Sequence, residues 1–295
     1  MAWRELRDAD VGMVTSYCPD AQAAADLVIE SNAGCRCFYD LDTGVTLDRL
    51  RAGLPVEYIA DGGLGGFDLV LSYVGGKALP ELKERLGARR VAPLYGSVDP
   101  EFHHPASGLA RYLAELSYLG TYSEDRQAKL EALFIEPARR MPDRRFMLGG
   151  AMYPHSFPWS SNIFFVRHLP PVEHAAFYCS SKLTLNVTRP AMAEMGYCPS
   201  GRLFEAAACG VPILSDWFEG LDSFFEPGSE VLLASTTEEA IEAIGKPAEE
   251  LSRIGRRARA RALDCHTAAI RARELEELVS SFALESDRTC ESTGA

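Results

Sequence analysis

"GRLFEAAACGVPILSD", residues 201–216, predicts a helix that leads directly into a buried strand. The three alanines at 206–208 would let such a helix pack closely on a sheet, and Gly210 marks its end. Arg202 lies in the first turn of the predicted helix, and Glu205 follows one turn later on the same face. The role of this charged pair, in a helix whose other residues are mostly small and apolar, is the question that the analysis of the remaining sequence addresses.

An alternation of strand and helix patterns extends along most of the chain. Continuous apolar runs of strand length, such as 35–40 and 67–74, are followed by segments of helical periodicity, such as 78–86. Strands of this kind are buried on both faces, which is typical of parallel sheets covered by helices. The predicted fold class is therefore α/β, with two Rossmann-like, doubly wound parallel sheets.

The stretch "GSVDPEFHHPASG", residues 96–108, interrupts this alternation because it contains two prolines and two glycines and has no periodicity. A chain of 295 residues is long enough for two domains. We predict an amino-terminal Rossmann-like domain at 1–105, a second Rossmann-like domain at 106–284 whose final helix returns to the first domain, and a frayed tail at 285–295.

The composition excludes several classes of protein. A formal net charge of -12 argues against general nucleic-acid binding. No run of eighteen apolar residues predicts a transmembrane helix, and the start "MAWRELRDAD" is too charged for a secretory signal. The eight cysteines include no C-x-x-C pair, so we expect reduced thiols in a cytoplasmic protein.

The histidines do not predict a metal site. His103 and His104 are adjacent, but no carboxylate or cysteine stands near them at ligand spacing. We expect both to be solvent-exposed loop residues, and donor binding or activity to survive a chelator.

The predicted helix at 201–208 begins where ligands bind in doubly wound sheets, beyond the carboxyl end of a strand. Its first turn, with Ser200 and Gly201 at the start, offers free amides and a positive dipole end to an anion. A phosphate would meet these amides and Arg202, and Glu205 would accept hydrogen bonds from two sugar hydroxyls. The structural alternative is a surface ion pair between Arg202 and Glu205.

Other candidates follow neighbouring strands. Tyr122 and Arg126 flank the first loop of the second domain, and Arg126 would contact a diphosphate, although Glu124 and Asp125 beside it oppose an anion. The alternative for both is an ordinary surface position on a helix. Asn186 ends a predicted strand and is either functional or a turn cap.

Carboxylates follow two more strands. Glu219 would bind donor hydroxyls or cap a helix that starts near Gly220. Asp40 and Asp42 follow the strand at 35–39, and Asp42 is the candidate base for an acceptor hydroxyl if the reaction inverts. The alternative for these two aspartates is a turn or helix-cap role.

The phrase "LFEAAACGVPILSD" resembles the helix–strand signature of the carboxyl-terminal domain of GT-B glycosyltransferases. "VAPLYGSVDPEFHHP" is similar to their interdomain phrase, and "FYDLDTGVTLDRL", "FDLVLSYVGG" and "FFEPGSEVLLA" resemble the spore-maturation CgeB-like branch. The resemblance implies that Glu205 is the acid that binds the ribose hydroxyls of a nucleotide-sugar donor. It also implies that no divalent metal and no cofactor beside the donor is needed, because the helix dipole and cations stabilise the leaving diphosphate.

The sequence departs from this family in two places. Retaining members often carry a second Glu eight residues before the first, and here that position is Tyr197, which we include among the donor-binding candidates. Retention or inversion therefore stays open. The amino-terminal domain is expected to be shortened, because the family's usual first strand and its glycine-rich loop have no counterpart before Val11.

The function expected from these features is transfer of a sugar from a nucleoside diphosphate sugar to an unknown glycan, lipid-linked or protein acceptor. Two alternatives stay open. One is an epimerase of nucleoside diphosphate sugars with the same fold. The other is a non-catalytic nucleotide-sugar-binding or scaffold protein derived from a glycosyltransferase.

Overall fold

The computed structural model describes the backbone of residues 2–293 and the side chains of residues 3–282. In chain order, its strands are β1 Val11–Thr15, β2 Cys35–Asp40, β3 Leu69–Ser72, β4 Val91–Pro93, β5 Ala114–Leu119, β6 Phe146–Gly150, β7 Ile163–Arg167, β8 Ser181–Asn186, β9 Ile213–Ser215 and β10 Leu232–Leu233. They form two parallel sheets, ordered β1-β2-β3-β4 and β10-β9-β8-β5-β6-β7. The predicted α/β class with two parallel-sheet domains is confirmed.

Most of the helices up to α9 lie between successive strands, where parallel pairing requires crossover connections. In chain order, they are α1 Ala2–Leu6, α2 Ala21–Ile29, α3 Thr43–Arg51, α4 Ala78–Leu86, α5 Gln127–Leu130, α6 Glu136–Arg140, α7 His174–Cys179, α8 Pro190–Met195, α9 Gly201–Ala208, α10 Thr237–Gly245, α11 Ala248–Cys265 and α12 Ala268–Thr293. Helix α8 is short, and no helix was predicted from the sequence at this position. Helix α12 continues through Thr293, so the tail expected from residue 285 is helical over its described backbone, and residues 294–295 lie outside the described part.

The chain divides into two compact units. The first contains the chain up to Tyr95, Ala191–Cys198 and the chain from Ala269 onward, and the second contains Gly96–Pro190 and Pro199–Ala268. The division falls between Tyr95 and Gly96, whereas the sequence suggested a boundary after residue 105. Within the described part of the chain, no helix has the length and hydropathy that a membrane span requires.

The first unit buries both faces of its four-stranded sheet. Phe38 and Val70 face a core that includes Val28 of α2 and Leu82 of α4. The neighbouring residues on the same strands, Cys37, Leu69 and Leu71, face the opposite core. There the apolar side chains of α12, from Leu275 to Phe282, pack against the sheet. Alternate residues of one strand therefore serve two cores, which explains why these strands read as continuous apolar runs.

The second unit packs its helices on a six-stranded sheet with β5 and β8 at the centre. Between α5 and α6, the segment Glu131–Ile135 forms a π turn, directly before Pro137. Proline has no amide hydrogen to donate, so the helix widens at this point and continues beyond it.

Helix α9 is held close to its neighbours by glycines. It ends before Gly210, whose φ of 74° lies in the left-handed region that glycine adopts without strain. A Cβ on Gly255 of α11 would come within 2.3 Å of the Gly210 carbonyl oxygen. This close approach fixes α9 against α11, and therefore fixes the direction of the first turn of α9.

Candidate functional site

Arg202 of the first turn of α9 reaches back to the carboxyl ends of the two central strands. Its Nε donates to the carbonyl oxygen of Leu119, and its Nη1 donates to Oδ1 of Asn186 at 3.1 Å. The guanidinium lies over the ring of Tyr118, 4.9 Å from its centroid. Arg202 is thus anchored at the edge of the sheet where doubly wound proteins bind ligands.

Arg202 and Glu205 do not form the surface ion pair that was the structural alternative. Among the described residues, Arg202 bonds only to Leu119 and Asn186, and Glu205 accepts a hydrogen bond from the Tyr178 hydroxyl. That alternative is wrong, because the extended Arg202 side chain turns toward the strand ends and away from the next turn of its helix.

Arg126 brings a second guanidinium to the same place. Its Nη1 donates to the Tyr118 hydroxyl at 3.3 Å and its Nη2 to the Thr121 carbonyl oxygen at 2.8 Å, while its buried Nε has no hydrogen-bond partner. A Cβ on Gly120 would lie 2.8 Å from both Arg202 Nη2 and the Tyr118 hydroxyl. Glycine at this position lets the two arginines flank one buried tyrosine.

The carboxylates beside Arg126 do not cancel its charge. Asp125 forms an ion pair with Arg189 at 2.7 Å. Burial acts to raise the pKa of Asp125, but hydrogen bonds from Ser123 and Arg189 outweigh it and hold that pKa below its usual range. Among the described residues, neither Arg126 nor Arg202 is paired with a carboxylate. The sheet edge therefore carries two guanidinium groups that no carboxylate of the described residues holds in a hydrogen bond.

The start of α9 adds amide donors to these cations. Ser200 occupies the N-cap position, but its Oγ donates to Asn186 Oδ1 at 2.7 Å, so no side chain caps the helix. Asn186 is fully buried, and its Nδ2 donates to Ser215 Oγ at 2.9 Å. The structure therefore places Asn186 behind Ser200 and Arg202, where it orients both of them, and leaves the amides of Gly201 and Arg202 uncapped.

Glu205 lies one turn further along α9 and is half-buried. Its Oε2 accepts the hydroxyl hydrogen of Tyr178 at 2.8 Å, and its Oε1 has no hydrogen-bond partner among the described residues. Burial, together with the Glu205 carboxylate, raises the pKa of Tyr178 well above its usual range, so this tyrosine stays a donor. One carboxylate oxygen is held in place and the other is available.

The histidine expectation is wrong for His103. His104 is exposed as expected, but His103 is half-buried, and both of its ring nitrogens are buried without a hydrogen-bond partner. Single ligand atoms of His103, His174 and Glu205 lie within 4.8 Å of one another. Burial lowers the pKa of His103 against the opposing effect of Glu205, which favours the neutral imidazole. Sequence spacing could not show this cluster because its members lie on three separate segments.

Lys129 is a cation at this edge that the sequence analysis did not single out. Its Nζ forms an ion pair with Oδ2 of the buried Asp216 and donates to the Thr188 carbonyl oxygen at 3.3 Å. The available signal was its position one turn after Arg126. The Asp216 carboxylate compensates the charge of Lys129. This ion pair also connects α5 to the loop after β9.

The three remaining donor-binding candidates, Tyr122, Glu219 and Tyr197, do not contact the two arginines through any hydrogen bond of the described residues. Tyr122 is half-buried and packs on Tyr153, with ring centroids 5.4 Å apart. Glu219 is exposed, and the short turn that begins after Gly220 has no side-chain cap, so the capping alternative does not hold. Tyr197 belongs to the first unit, where its carbonyl oxygen accepts the amide hydrogen of Gly75.

The aspartates of the first unit lie at the carboxyl end of β2. Asp42 occupies the N-cap position of α3, but its side chain makes no cap and its Oδ2 accepts the Tyr17 hydroxyl hydrogen at 3.0 Å. Asp40 is fully buried, with Oδ1 accepting the Asp42 amide hydrogen and Oδ2 without a partner. Burial raises the pKa of Asp40 to about 6.

The comparisons with known proteins report a family and a fold for this chain. The model of a family described as glycosyl transferase-like matches residues 126–277, a segment that contains Arg126, Arg202 and Glu205. A search of curated protein sequences gave no match.

Solved structures share the fold at low sequence identity. Sucrose-phosphate synthase from Thermosynechococcus elongatus is 14% identical with a TM-score of 0.69, over 95% of this chain and 75% of that one. Anabaena HepE, solved with UDP-glucose, is 13% identical with a TM-score of 0.67, over 92% of this chain and 79% of that one. Staphylococcus aureus TarM, solved with UDP and a glycosylated glycerol, is 10% identical with a TM-score of 0.64, over 94% of this chain and 57% of that one.

Proposed function

The chain belongs to the glycosyl transferase-like family, and we propose that it transfers a sugar from a nucleoside diphosphate sugar to a glycan, lipid-linked or protein acceptor. The observation that carries this proposal is the pair of arginines at the carboxyl end of β5. Arg126 and Arg202 flank Tyr118 beside the uncapped start of α9, and neither has a carboxylate partner among the described residues.

The diphosphate of the donor would bind at these two guanidinium groups and the first amides of α9. Charge-assisted hydrogen bonds to phosphate are about twice as strong as neutral ones, and a helix start adds a favourable dipole. The same groups would stabilise the charge that develops on the diphosphate as it leaves, without a divalent metal. Asn186 would act as a positioning residue, because its Oδ1 accepts hydrogen bonds from Arg202 Nη1 and from Ser200 Oγ.

The ribose would bind at Glu205. The Tyr178 hydroxyl occupies Oε2, which leaves Oε1 to accept hydrogen bonds from ribose hydroxyls. HepE was solved with UDP-glucose and with UDP and glucose, and TarM with UDP, so a UDP sugar is the first donor to test. Tyr122, Tyr197 and Glu219 remain candidates for the rest of the donor.

The acceptor side is proposed to involve Asp42. Its carboxylate is half-buried and bonded to the Tyr17 hydroxyl, an arrangement suited to receive a proton from an acceptor hydroxyl. The Asp42→Asn variant should bind UDP with unchanged affinity but turn over the donor at least about tenfold more slowly. Unchanged turnover of a UDP sugar would remove Asp42 from this role.

The branch of the family and the cellular location are proposed from the sequence. We propose the CgeB-like branch from the phrases at 38–50, 67–76 and 224–234. We propose a cytoplasmic location because the eight cysteines of the sequence include no C-x-x-C pair and no spacing typical of a disulfide framework.

Calorimetry on the full chain with UDP and uridine tests the donor site. Arg202→Ala removes a partner of the phosphates only, so it should lower UDP affinity by about 10- to 100-fold and change uridine affinity by less than about threefold. Glu205→Gln should lower affinity for both ligands by about tenfold. Arg144→Ala is the matched control, because Arg144 is an exposed arginine of the same unit that pairs with Glu115.

Equal UDP affinity in the wild type and Arg202→Ala would contradict the diphosphate assignment. If UDP does not bind, a thermal-shift screen with other nucleoside diphosphates identifies the base. A ligand at one hundred times its Kd stabilises a protein by about 2.7 kcal/mol. Release of free sugar from the bound donor, with water as acceptor, would distinguish an enzyme from a binding protein.

A further inference from the structure

We propose that His103, His174 and Glu205 form a binding site for one divalent transition-metal ion of the Zn²⁺ type. One ligand atom from each residue lies within 4.8 Å of the other two. His103 lies in the loop after β4, His174 is the first residue of α7, and Glu205 belongs to α9. All three side chains are half-buried and belong to the second unit.

The unsatisfied ring of His103 is the second observation that points to a ligand. Both ring nitrogens are buried and neither has a hydrogen-bond partner among the described residues. Buried polar groups without a partner are rare, and an unoccupied ion site is one of their recognised explanations. The backbone of His103 is held by a hydrogen bond from its amide to the Asp99 carbonyl oxygen at 2.9 Å, so the loop presents this ring from a fixed position.

The distances require only side-chain adjustment. Zn²⁺ with bonds of about 2.0–2.1 Å in tetrahedral geometry places its ligand atoms about 3.3 Å apart. The rings of His103 and His174 are neighbours, with centroids 6.2 Å apart and planes inclined by 48°. Rotation of these side chains about their own bonds would bring the ligand atoms together.

The chemistry of the three ligands selects the class of ion. Imidazole favours Zn²⁺, Co²⁺, Ni²⁺ and Cu²⁺, whereas Mg²⁺ and Ca²⁺ prefer sites made of oxygen alone. Two imidazoles and one carboxylate leave the fourth tetrahedral position open to water. Tyr178 provides an outer contact, because its hydroxyl bonds to Oε2 of Glu205 and orients the carboxylate.

Metal binding and donor binding then compete, a consequence that rests on the proposed function. The Glu205 carboxylate would serve both the ribose hydroxyls and the ion, and its Oε2 already accepts the hydroxyl hydrogen of Tyr178. Transition-metal ions should therefore inhibit binding of nucleosides and nucleotides. In a preparation that contains zinc, a chelator should raise the affinity for uridine. If the metal instead bridged the diphosphate to the protein, a chelator would lower the affinity for the nucleotide.

Calorimetry with Zn²⁺ on the untagged, chelator-treated full chain is the test. We expect one ion per chain, and a loss of affinity of at least about 100-fold in both His103→Ala and His174→Ala. His104→Ala is the matched control, since that exposed histidine is the immediate neighbour of His103. Circular dichroism and thermal unfolding without metal establish that each variant folds. Unchanged Zn²⁺ affinity in either folded cluster variant overturns the proposal, and so does equal loss in the control.

Substitution of Co²⁺ reports which residues bind the ion. Visible bands of tetrahedral Co²⁺ should appear in the wild type and disappear in His174→Ala, without the charge-transfer band of a thiolate ligand. A thiolate band would assign the ion to cysteines and overturn the proposal. Arg202→Ala should keep its Zn²⁺ affinity within about twofold while it loses UDP affinity, so failure of the metal site and failure of the donor site give different results.

Discussion

The two parallel sheets carry opposite charges at their carboxyl ends. The edge of the first sheet holds Asp40 and Asp42 with the Tyr17 hydroxyl, and the edge of the second holds Arg126 and Arg202 beside the start of α9. Both edges arise from the same strand–helix pattern, so the pattern does not determine their chemistry. The side chains that follow each strand do.

Asp40 and the two arginines also differ in what would neutralise their charge. Asp40 is buried with one unpartnered oxygen, and a proton relieves it, as its raised pKa indicates. Arg126 and Arg202 carry guanidinium cations, so an anion such as a phosphate is the partner that would neutralise them. An acidic edge suited to proton transfer and a basic edge suited to a diphosphate fit the two halves of a transfer reaction.

Reversal of charge at the basic edge should give the largest effect. Arg202→Glu replaces a charge-assisted hydrogen bond with repulsion, so UDP affinity should fall more than about 1000-fold, or about 4 kcal/mol. Calorimetry measures this, with Arg144→Glu as the control for a general change of charge. A loss below about tenfold for Arg202→Glu would mean that the two edges do not differ in the way described.

Removal of the buried carboxyl at the acidic edge should change stability. The pKa of Asp40 is about 6 in the folded chain against 3.8 ordinarily. Between these values the unfolded chain loses the proton first, so the free energy of unfolding falls as pH rises, by up to about 3 kcal/mol above pH 6. Asp40→Asn lacks this titration and should gain stability over the wild type as pH rises.

Urea unfolding of both proteins at pH 4.5 and pH 7 measures the Asp40 contribution as the difference between the two. The difference should be larger at pH 7 by about 2 kcal/mol. A difference that does not change with pH would show that Asp40 ionises in the folded chain at its ordinary pKa.

The smallest expected effect concerns the support of Glu205. Tyr178→Phe keeps the packing but removes the hydrogen bond to Oε2, so stability should fall by about 1 kcal/mol and uridine affinity by about fivefold. Tyr112→Phe is the matched control, because the Tyr112 hydroxyl also bonds to a glutamate, Glu173, in the same unit. It should lose similar stability and keep its uridine affinity. If both variants lose affinity equally, the effect reflects stability alone.

The sequence predicted the strand–helix alternation well because burial on both faces leaves a continuous apolar signature. It missed α8, whose six residues are too short for a clear helical period. It also suggested a later boundary, because the proline-rich stretch after Tyr95 resembles a linker although the structure includes it in the second unit.

The sequence by itself determined the fold class and the first turn of α9, because hydrophobic periodicity and helix-start position are local properties. Only the tertiary structure decided what those residues contact. Arg202 pairs with strand ends instead of Glu205, Arg126 arrives at the same tyrosine from another loop, and His103 joins His174 and Glu205 from distant segments. These contacts depend on which strands lie side by side and on how closely Gly120 and Gly255 let neighbouring segments approach, and such long-range distances leave no periodic trace in a single sequence.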